Sequence, residues 1–340
     1  GMSAKITRRQ ALTFGAVGAG VVAVGAAATM ISRAVLDEPS IGEVDGAPVP
    51  ESPSAEGLPG WSEPEVLTSR DGVLELDLRV AAAEVVVGGA TVQMLAYNGT
   101  VPGPTLHLRA GDTLRVHLRN ELGVPTNLHT HGLHVSGEGN SDNPLLDIAP
   151  GESFDYEIVL PDDHPAGVNW YHPHRHGMVA DQIFAGLYGA IIVDDEDWEA
   201  AAPRVVVVSD TTIIDGRVAE VSRPQRMAGR TGEMLLTNGQ PAPALRGAAG
   251  SEQRLLLINA CASRYLDLGF AGLAAQLRGV DSLRLAAPEA LERRVLAPGN
   301  RVDVIVRVPD AETPVVAAPY DRGQAGMGMG GQSTAAPEAV

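Results

Sequence analysis

Histidine is concentrated in one stretch of the chain. Seven of the nine histidines lie between His129 and His176, and no histidine follows His176. Two pairs in this stretch have the spacing His-x-His, namely His129 with His131 and His172 with His174. Residues i and i+2 of a β-strand point to the same face, so each pair directs both imidazoles into one space. Neutral imidazole is the commonest metal ligand and suits copper, zinc, iron or nickel. The pattern predicts a metal site, or half of one.

The composition limits the function classes. The chain has 340 residues and a formal net charge of −17. Nucleic acid is excluded as a partner because the basic patch that phosphate binding needs is missing. The single cysteine, Cys261, excludes an intrachain disulfide and a cysteine-rich zinc site.

The N-terminal residues have the pattern of an export signal, which we assign to residues 1–36. A basic segment with Arg8 and Arg9 precedes an apolar run rich in glycine and alanine. The segment Thr7–Leu12 resembles a twin-arginine signal, the bacterial route for folded proteins. Cleavage at Ala26–Ala28 and retention as an uncleaved membrane anchor are the two alternatives. Both place the mature protein in the periplasm, at the cell surface or outside the cell.

The remaining chain has the pattern of an all-β protein. Residues 37–60, rich in Pro, Glu, Ser and Gly, predict a disordered linker. Alternating apolar and polar residues broken by turns then predict two Greek-key sandwiches or barrels, over residues 61–196 and 203–318. The turns Asn98-Gly99 and Pro150-Gly151 recur as Asn238-Gly239 and Pro298-Gly299, which indicates two copies of one fold. The composition of residues 319–340 predicts a disordered Gly/Met tail. Met327 and Met329 are candidate Cu(I) ligands through their thioether sulfurs, and the alternative is a flexible tail without a ligand role.

Several motifs together resemble those of the multicopper oxidases, the laccase-like cupredoxin proteins. The resemblance covers about residues 61–318, and two His-x-His pairs in this order with these neighbours are specific. It implies two tandem cupredoxin-like domains. The matching segments are Tyr97–Gly99, Val101–Pro104, Asn127–Gly132, Trp170–His174, Gly186–Gly189 and Asn238-Gly239.

The resemblance implies a role for each residue of the two pairs. His129 is similar to the ligand of the type 2 copper, His131 and His172 to ligands of one type 3 copper, and His174 to a ligand of its partner. In the family this cluster reduces dioxygen to water. Asp142 is the candidate for the acidic residue that delivers protons, and the alternative is a solvated aspartate in a turn.

The other histidines have simpler interpretations. His107 and His117 lie on predicted strands beside charged residues and are expected to face solvent. His164 is expected in a loop. His176, two residues beyond the second pair, is expected to be structural or to support a ligand.

The four candidate ligands make only half of a trinuclear copper cluster, so two function classes stay open. The first is a laccase-like oxidoreductase that couples substrate oxidation to dioxygen reduction if a third copper domain is supplied. The second is a non-catalytic exported cupredoxin pair that binds copper or has a structural or interaction role. In the family a type 1 copper with Cys and His ligands lies in a C-terminal domain, whereas Cys261 has no histidine neighbours and is expected to be a buried apolar residue. A missing third domain or a homo-oligomer would complete the site.

Overall fold

The computed structural model describes residues 60–194, 203–321 and 337–340. We call residues 60–194 the first half and the other two ranges the second half. Several predictions concern residues outside these ranges. They are the export signal, nearly all of the 37–60 linker, the boundary at residues 195–202, and Met327 with Met329. The domain boundary between residues 196 and 203 therefore stays a prediction.

Two sheets carry the first half. One has five strands in the order β1-β4-β9-β8-β6. Its strands are β1 (Val66–Thr68), β4 (Thr105–Leu108), β6 (His129–His131), β8 (Gly167–His172) and β9 (Gly189–Val193). The other contains β2 (Val73–Val87), β3 (Ala90–Tyr97), β5 (Thr113–Asn120) and β7 (Ser153–Val159).

A short hairpin from the second half extends this second sheet. Strands β11 (Ile213–Ile214) and β12 (Arg217–Val218) give the order β11-β12-β3-β2-β5-β7. Strand β12 pairs parallel with β3, with Arg217 opposite Gln93. The two halves thus share one sheet.

Two further sheets carry the second half. The six-stranded one has the order β13-β10-β14-β19-β16-β17, and the four-stranded one has the order β18-β15-β20-β21. The strands are β10 (Arg204–Thr211), β13 (Met234–Thr237), β14 (Glu252–Asn259), β15 (Leu266–Gly269), β16 (Gln276–Val280), β17 (Leu283–Ala290), β18 (Arg293–Leu296), β19 (Arg301–Arg307), β20 (Val316–Ala318) and β21 (Glu338–Ala339). Sheet neighbours that are distant in sequence show the crossing connections of a Greek key.

Helices are few and short in the described ranges. Helix α1 (Val179–Phe184) follows the second histidine pair, and helix α2 (Arg223–Ala228) has six residues as well. Ser222 caps α2, because its side chain accepts the Gln225 N–H while the Gln225 side chain accepts the Ser222 N–H. No helix among the described residues is long and apolar enough to cross a membrane. The prediction of an all-β fold is confirmed.

Each half has its own apolar core, and a third core joins them. Leu78, Leu114 and Tyr97 are fully buried in the first half. Strand β10 alternates its valines between two environments. Val206 and Val208 face the second-half core, whereas Val205 and Val207 pack in the joining core with Trp170 of β8. Apolar burial on both faces explains why β10 reads as a continuous valine run.

The predicted repeat is visible in the hydrogen bonds around the two Asn-Gly turns. Asn98 and Asn238 both adopt a positive φ, of 51° and 47°. The Asn98 side chain accepts the Arg79 N–H at 2.8 Å and donates to the carbonyl of Asp77, two residues before Arg79, at 2.9 Å. The Asn238 side chain does the same with Val207 and the carbonyl of Val205, at the same two distances. Two copies of one turn therefore follow equivalent strands.

A second buried asparagine recurs in both halves with matching hydrogen bonds. The Asn120 side chain donates to two loop carbonyls at 2.9 Å and accepts the Leu122 N–H at 2.9 Å. The Asn259 side chain donates to two carbonyls at 3.0 and 2.9 Å and accepts the Cys261 N–H at 3.0 Å. The position of Cys261 in the second half is thus the position of Leu122 in the first.

Two expectations need correction. His107 is buried, not solvent-facing, because β4 lies between β1 and β9 and its ring contacts the Asp194 carboxylate. Part of the predicted disordered tail, residues 319–340, is ordered. Its strand β21 pairs with β20, and Glu338 accepts a hydrogen bond from Arg264 at 2.9 Å.

Candidate metal centre

Antiparallel pairing of two short strands brings the histidine pairs together. Strand β6 is the edge strand beside β8, and His129 lies directly opposite His172. Thr130, between the two histidines of β6, is buried, so His129 and His131 point to the other face. The alternation expected for a His-x-His strand is present in β6.

Three imidazoles converge. Ligand nitrogens of His129, His131 and His172 all lie within 4.8 Å of one another. His131 Nδ1 and His172 Nε2 are 3.4 Å apart. The ring of His174 lies 5.1 Å from that of His129, centroid to centroid, but its ligand atoms are outside the group of three. The structure thus brings all four predicted residues into one cluster, with His174 at its exposed side.

Two of the rings are fixed by hydrogen bonds at Nδ1. His129 Nδ1 lies 3.0 Å from both carboxylate oxygens of Asp142. His172 Nδ1 lies 2.8 Å from the Pro173 carbonyl oxygen. Since a carboxylate and a carbonyl only accept, each Nδ1 carries a proton, so in the neutral imidazole Nε2 is the nitrogen with the lone pair that a metal needs. A partner on the second ring nitrogen is the usual arrangement for a metal-binding histidine.

Asp142 is buried, which excludes the solvated-turn alternative. One of its oxygens also accepts the Thr130 N–H at 2.9 Å. Burial raises the pKa of Asp142, but hydrogen bonds from His129 and Thr130 outweigh burial and leave this pKa below its usual value. Asp142 is therefore an ionised acceptor at neutral pH, placed to orient His129. Its predicted part in proton delivery stays a prediction.

Burial keeps the other two converging rings neutral. It lowers the pKa of His131 to about 4, with further lowering by the positive charge of Arg301. Burial also holds the pKa of His172 well below its usual value, although the Pro173 carbonyl opposes this. The Trp170 ring lies 4.1 Å from that of His172, centroid to centroid, and covers it. A neutral imidazole with a free lone pair is the form that binds a metal.

Asn127 places the second pair against the loop after the first. Its side-chain oxygen accepts the His174 N–H at 2.6 Å, and its amide donates to the carbonyls of Pro144 and Leu146 at 3.2 and 3.0 Å. Asn127 and Trp170 belonged to the matching motifs, but nothing in the sequence alone assigned them these contacts.

The other histidines lie outside the cluster. His117 is exposed and its Nδ1 lies 2.5 Å from Asp155. His164 is a loop residue as predicted, but it is buried, and its Nε2 accepts the His134 N–H at 3.0 Å. His176 is exposed.

Comparisons with known proteins agree with this architecture. A family model described as multicopper oxidase matches residues 79–197. The cell division protein FtsP of Xenorhabdus nematophila is 31% identical over 264 residues, which cover 75% of this chain and 55% of that protein. A multicopper oxidase of Staphylococcus haemolyticus is 28% identical over 219 residues, covering 62% of this chain and 48% of that one. The chain thus spans about half the length of these relatives.

The solved structures give the same result. A multicopper oxidase of Campylobacter jejuni, titled a metallo-oxidase, superposes with a TM-score of 0.73 at 26% identity, covering 84% of this chain and 61% of that one. The fold and the imidazole cluster define a tandem cupredoxin protein. The chain belongs to the multicopper oxidase family. Copper is the metal that this family implies.

Proposed function

We propose that the chain binds copper at His129, His131, His172 and His174 and supplies half of a type 2/type 3 copper cluster. The observation that carries the proposal is the convergence of three imidazole nitrogens from two paired strands within 4.8 Å. The donor set suits copper, since imidazole is a good ligand for it and thiolate is not required.

The surrounding residues prepare the site for a metal. When bound, copper would supply the one-electron chemistry that reduction of dioxygen needs. Asp142 and the Pro173 carbonyl hold protons on the Nδ1 atoms of His129 and His172, which directs the opposite nitrogens inward. Trp170 excludes water from one side of His172.

Laccase-like oxidation, with dioxygen as the electron acceptor, requires more ligands than these four. Four imidazoles serve three copper positions poorly, because affinity depends on the number and geometry of ligands. Cys261 is fully buried, and its N–H is bound to Asn259 in the second-half core, so we assign it no copper. We therefore propose that oxidase activity depends on a further copper domain or on a partner subunit.

A second candidate function has its own support. The similarity to FtsP, a cell division protein by name, favours a non-catalytic structural or interaction role on the same fold. For either function we propose export through the twin-arginine-like segment at residues 7–12, with cleavage or membrane anchoring as the alternatives.

Copper titration of the purified full chain tests the proposal. We expect loosely held copper at less than the full complement of three ions, no blue type 1 absorption band, and no oxidation of phenols. His172→Ala should abolish binding, whereas His117→Ala, a change of an exposed histidine outside the cluster, should leave binding intact. Tight binding of three ions per chain would contradict the half-site. Folded protein that binds no copper would favour the structural role.

A further inference from the structure

A turn of the second half lies directly against one of the metal-site histidines. Gly299, in the turn Ala297–Gly299 before β19, has a φ of +86°. A β-carbon at this position would lie 2.8 Å from His131 Cε1, closer than real β-carbons approach another atom. The turn therefore forms the wall against which the His131 ring rests, and a β-carbon at Gly299 would fit only if this ring moved.

Arg301 extends this wall to the backbone around His131. It is buried, and its Nε donates to the Val168 carbonyl on β8 at 3.1 Å. Its Nη1 donates to the Gly299 carbonyl and to Asp281 Oδ1, both at 3.2 Å. The guanidinium also occupies the space that a β-carbon at Gly132 would need. Arg301 thus links the turn, strand β8 and the residue that follows His131.

The strand that carries His172 is held from the same side. Ser282 Oγ lies 3.0 Å from the Val168 carbonyl and 2.7 Å from the Asn169 side-chain oxygen. Both acceptors precede Trp170 and His172 on β8. The second half therefore contacts both strands whose nitrogens, His131 Nδ1 and His172 Nε2, lie 3.4 Å apart.

We infer that the turn Ala297–Gly299, together with Arg301, is a positioning element of the second half that sets the orientation of the His131 ring. The affinity of the first-half metal site then depends on the second half, which supplies no histidine of its own. The part of this inference that concerns copper rests on the proposed function, whereas the part that concerns ring orientation does not.

The repeat provides a matched pair of substitutions. Gly299 and Gly151 both follow Ala-Pro, have φ values of +86° and +82°, and donate their N–H to the equivalent carbonyls of Asn259 and Asn120 at 2.8 Å. A β-carbon at Gly151 meets nothing within 4 Å. Gly299→Ala and Gly151→Ala therefore add the same backbone strain, but only the first pushes on His131.

The experiment measures ring geometry and metal affinity in the full-length chain. Crystal structures without metal should keep the 3.4 Å nitrogen separation in Gly151→Ala and lose it in Gly299→Ala. Cu(II) titration by calorimetry should show about 10- to 100-fold weaker binding for Gly299→Ala only, the loss typical of a residue that supports a ligand. Similar thermal stabilities of the two variants would show that the affinity loss is not general unfolding.

The possible outcomes separate the inference about the His131 ring from the proposed copper binding. An unmoved His131 ring in Gly299→Ala, or Cu(II) affinity equal to that of Gly151→Ala, overturns the inference. Failure of the wild-type chain to bind Cu(II) overturns the proposed function, while ring geometry still decides the inference. If Gly299→Ala does not fold, Arg301→Lys replaces it, with Arg254→Lys as control, since buried Arg254 pairs with Asp303 within the second-half sheet. Only Arg301→Lys should then displace the His131 ring.

Discussion

The two halves of the molecule share one framework, but the histidine cluster lies in only one of them. After Asn120 the next strand of the first half is β6, with His129, Thr130 and His131. After Asn259, which makes the same hydrogen bonds, the next strand is β15, in which Leu266 and Leu268 are fully buried. The same scaffold thus presents imidazoles at its surface in one copy and leucines to the core in the other.

This difference separates what the fold requires from what the site requires. Features present in both halves, such as the Asn-Gly turns and the buried asparagines, belong to the scaffold. Features of one half alone, such as Asp142 beneath His129 and Trp170 over His172, belong to the candidate site. The turn at Gly299 is also a scaffold feature, since Gly151 lies in the equivalent turn of the first half. Only the copy in the second half contacts a histidine of the candidate site.

The largest effect is expected from removing a scaffold asparagine. Asn120→Ala removes the side-chain donor to the carbonyls of Val124 and Ile148 and the acceptor of the Leu122 N–H, and Ile148 and Leu122 are buried whereas Val124 is exposed. An unsatisfied buried group costs about 1–3 kcal/mol, so the free energy of unfolding should fall by roughly 2 kcal/mol or more. Asn259→Ala should cost a similar amount, as measured by urea unfolding of the full chain.

Exposed Asn140 provides the control for these two variants, because Asn140→Ala should change stability by only a few tenths of a kcal/mol, as surface substitutions usually do. A small cost for Asn259→Ala beside a large one for Asn120→Ala would show that the two positions are not energetically equivalent. The comparison of the halves would then hold for geometry alone.

A smaller effect is expected in the pH dependence of stability, to which buried groups of the two halves contribute with opposite sign. The pKa of His131 is lowered to about 4 and that of His172 is also lowered, so the folded metal-free chain leaves both neutral where the unfolded chain binds protons. Their contribution to stability is therefore lost as the pH falls from about 6.5 towards 4, the window between the usual and the lowered pKa. In the second half, burial raises the pKa of Asp210, which gives the opposite sign. The free energy of unfolding, measured in urea at pH 7.5 and at pH 5, should differ less between the two pH values for His131→Asn than for wild type. His117→Asn should retain the wild-type difference. An unchanged pH dependence in His131→Asn would mean that the ring is protonated in the folded state.

The sequence predicted the scaffold and the histidine cluster better than it predicted what surrounds them. Period-2 alternation and recurring turns were sufficient for an all-β fold with two copies, and His-x-His spacing for the cluster. Alternation failed for His107, because a central strand is covered on both faces and burial there does not follow the pattern. The contact of Gly299 with His131 joins residues 168 positions apart, and no local pattern reports such a long-range approach. Likewise, the composition of the tail gave no sign that Glu338 pairs with Arg264.

The smallest effect concerns Cys261, which the repeat interprets as a core residue. It occupies the position of Leu122, is 2% exposed, and burial raises the pKa of its thiol well above the usual value. A neutral thiol in an apolar core is neither a nucleophile nor a metal ligand. Cys261→Ala should therefore lower the free energy of unfolding by about 1 kcal/mol, in line with a typical point substitution. Cu(II) affinity should stay equal to that of wild type, and the native thiol should resist thiol-specific reagents until the chain unfolds. Leu122→Ala, the matched change in the first half, should cost more because it removes a larger apolar side chain. Loss of Cu(II) binding in Cys261→Ala would place the cysteine in the metal chemistry and end the assignment of the site to the first half.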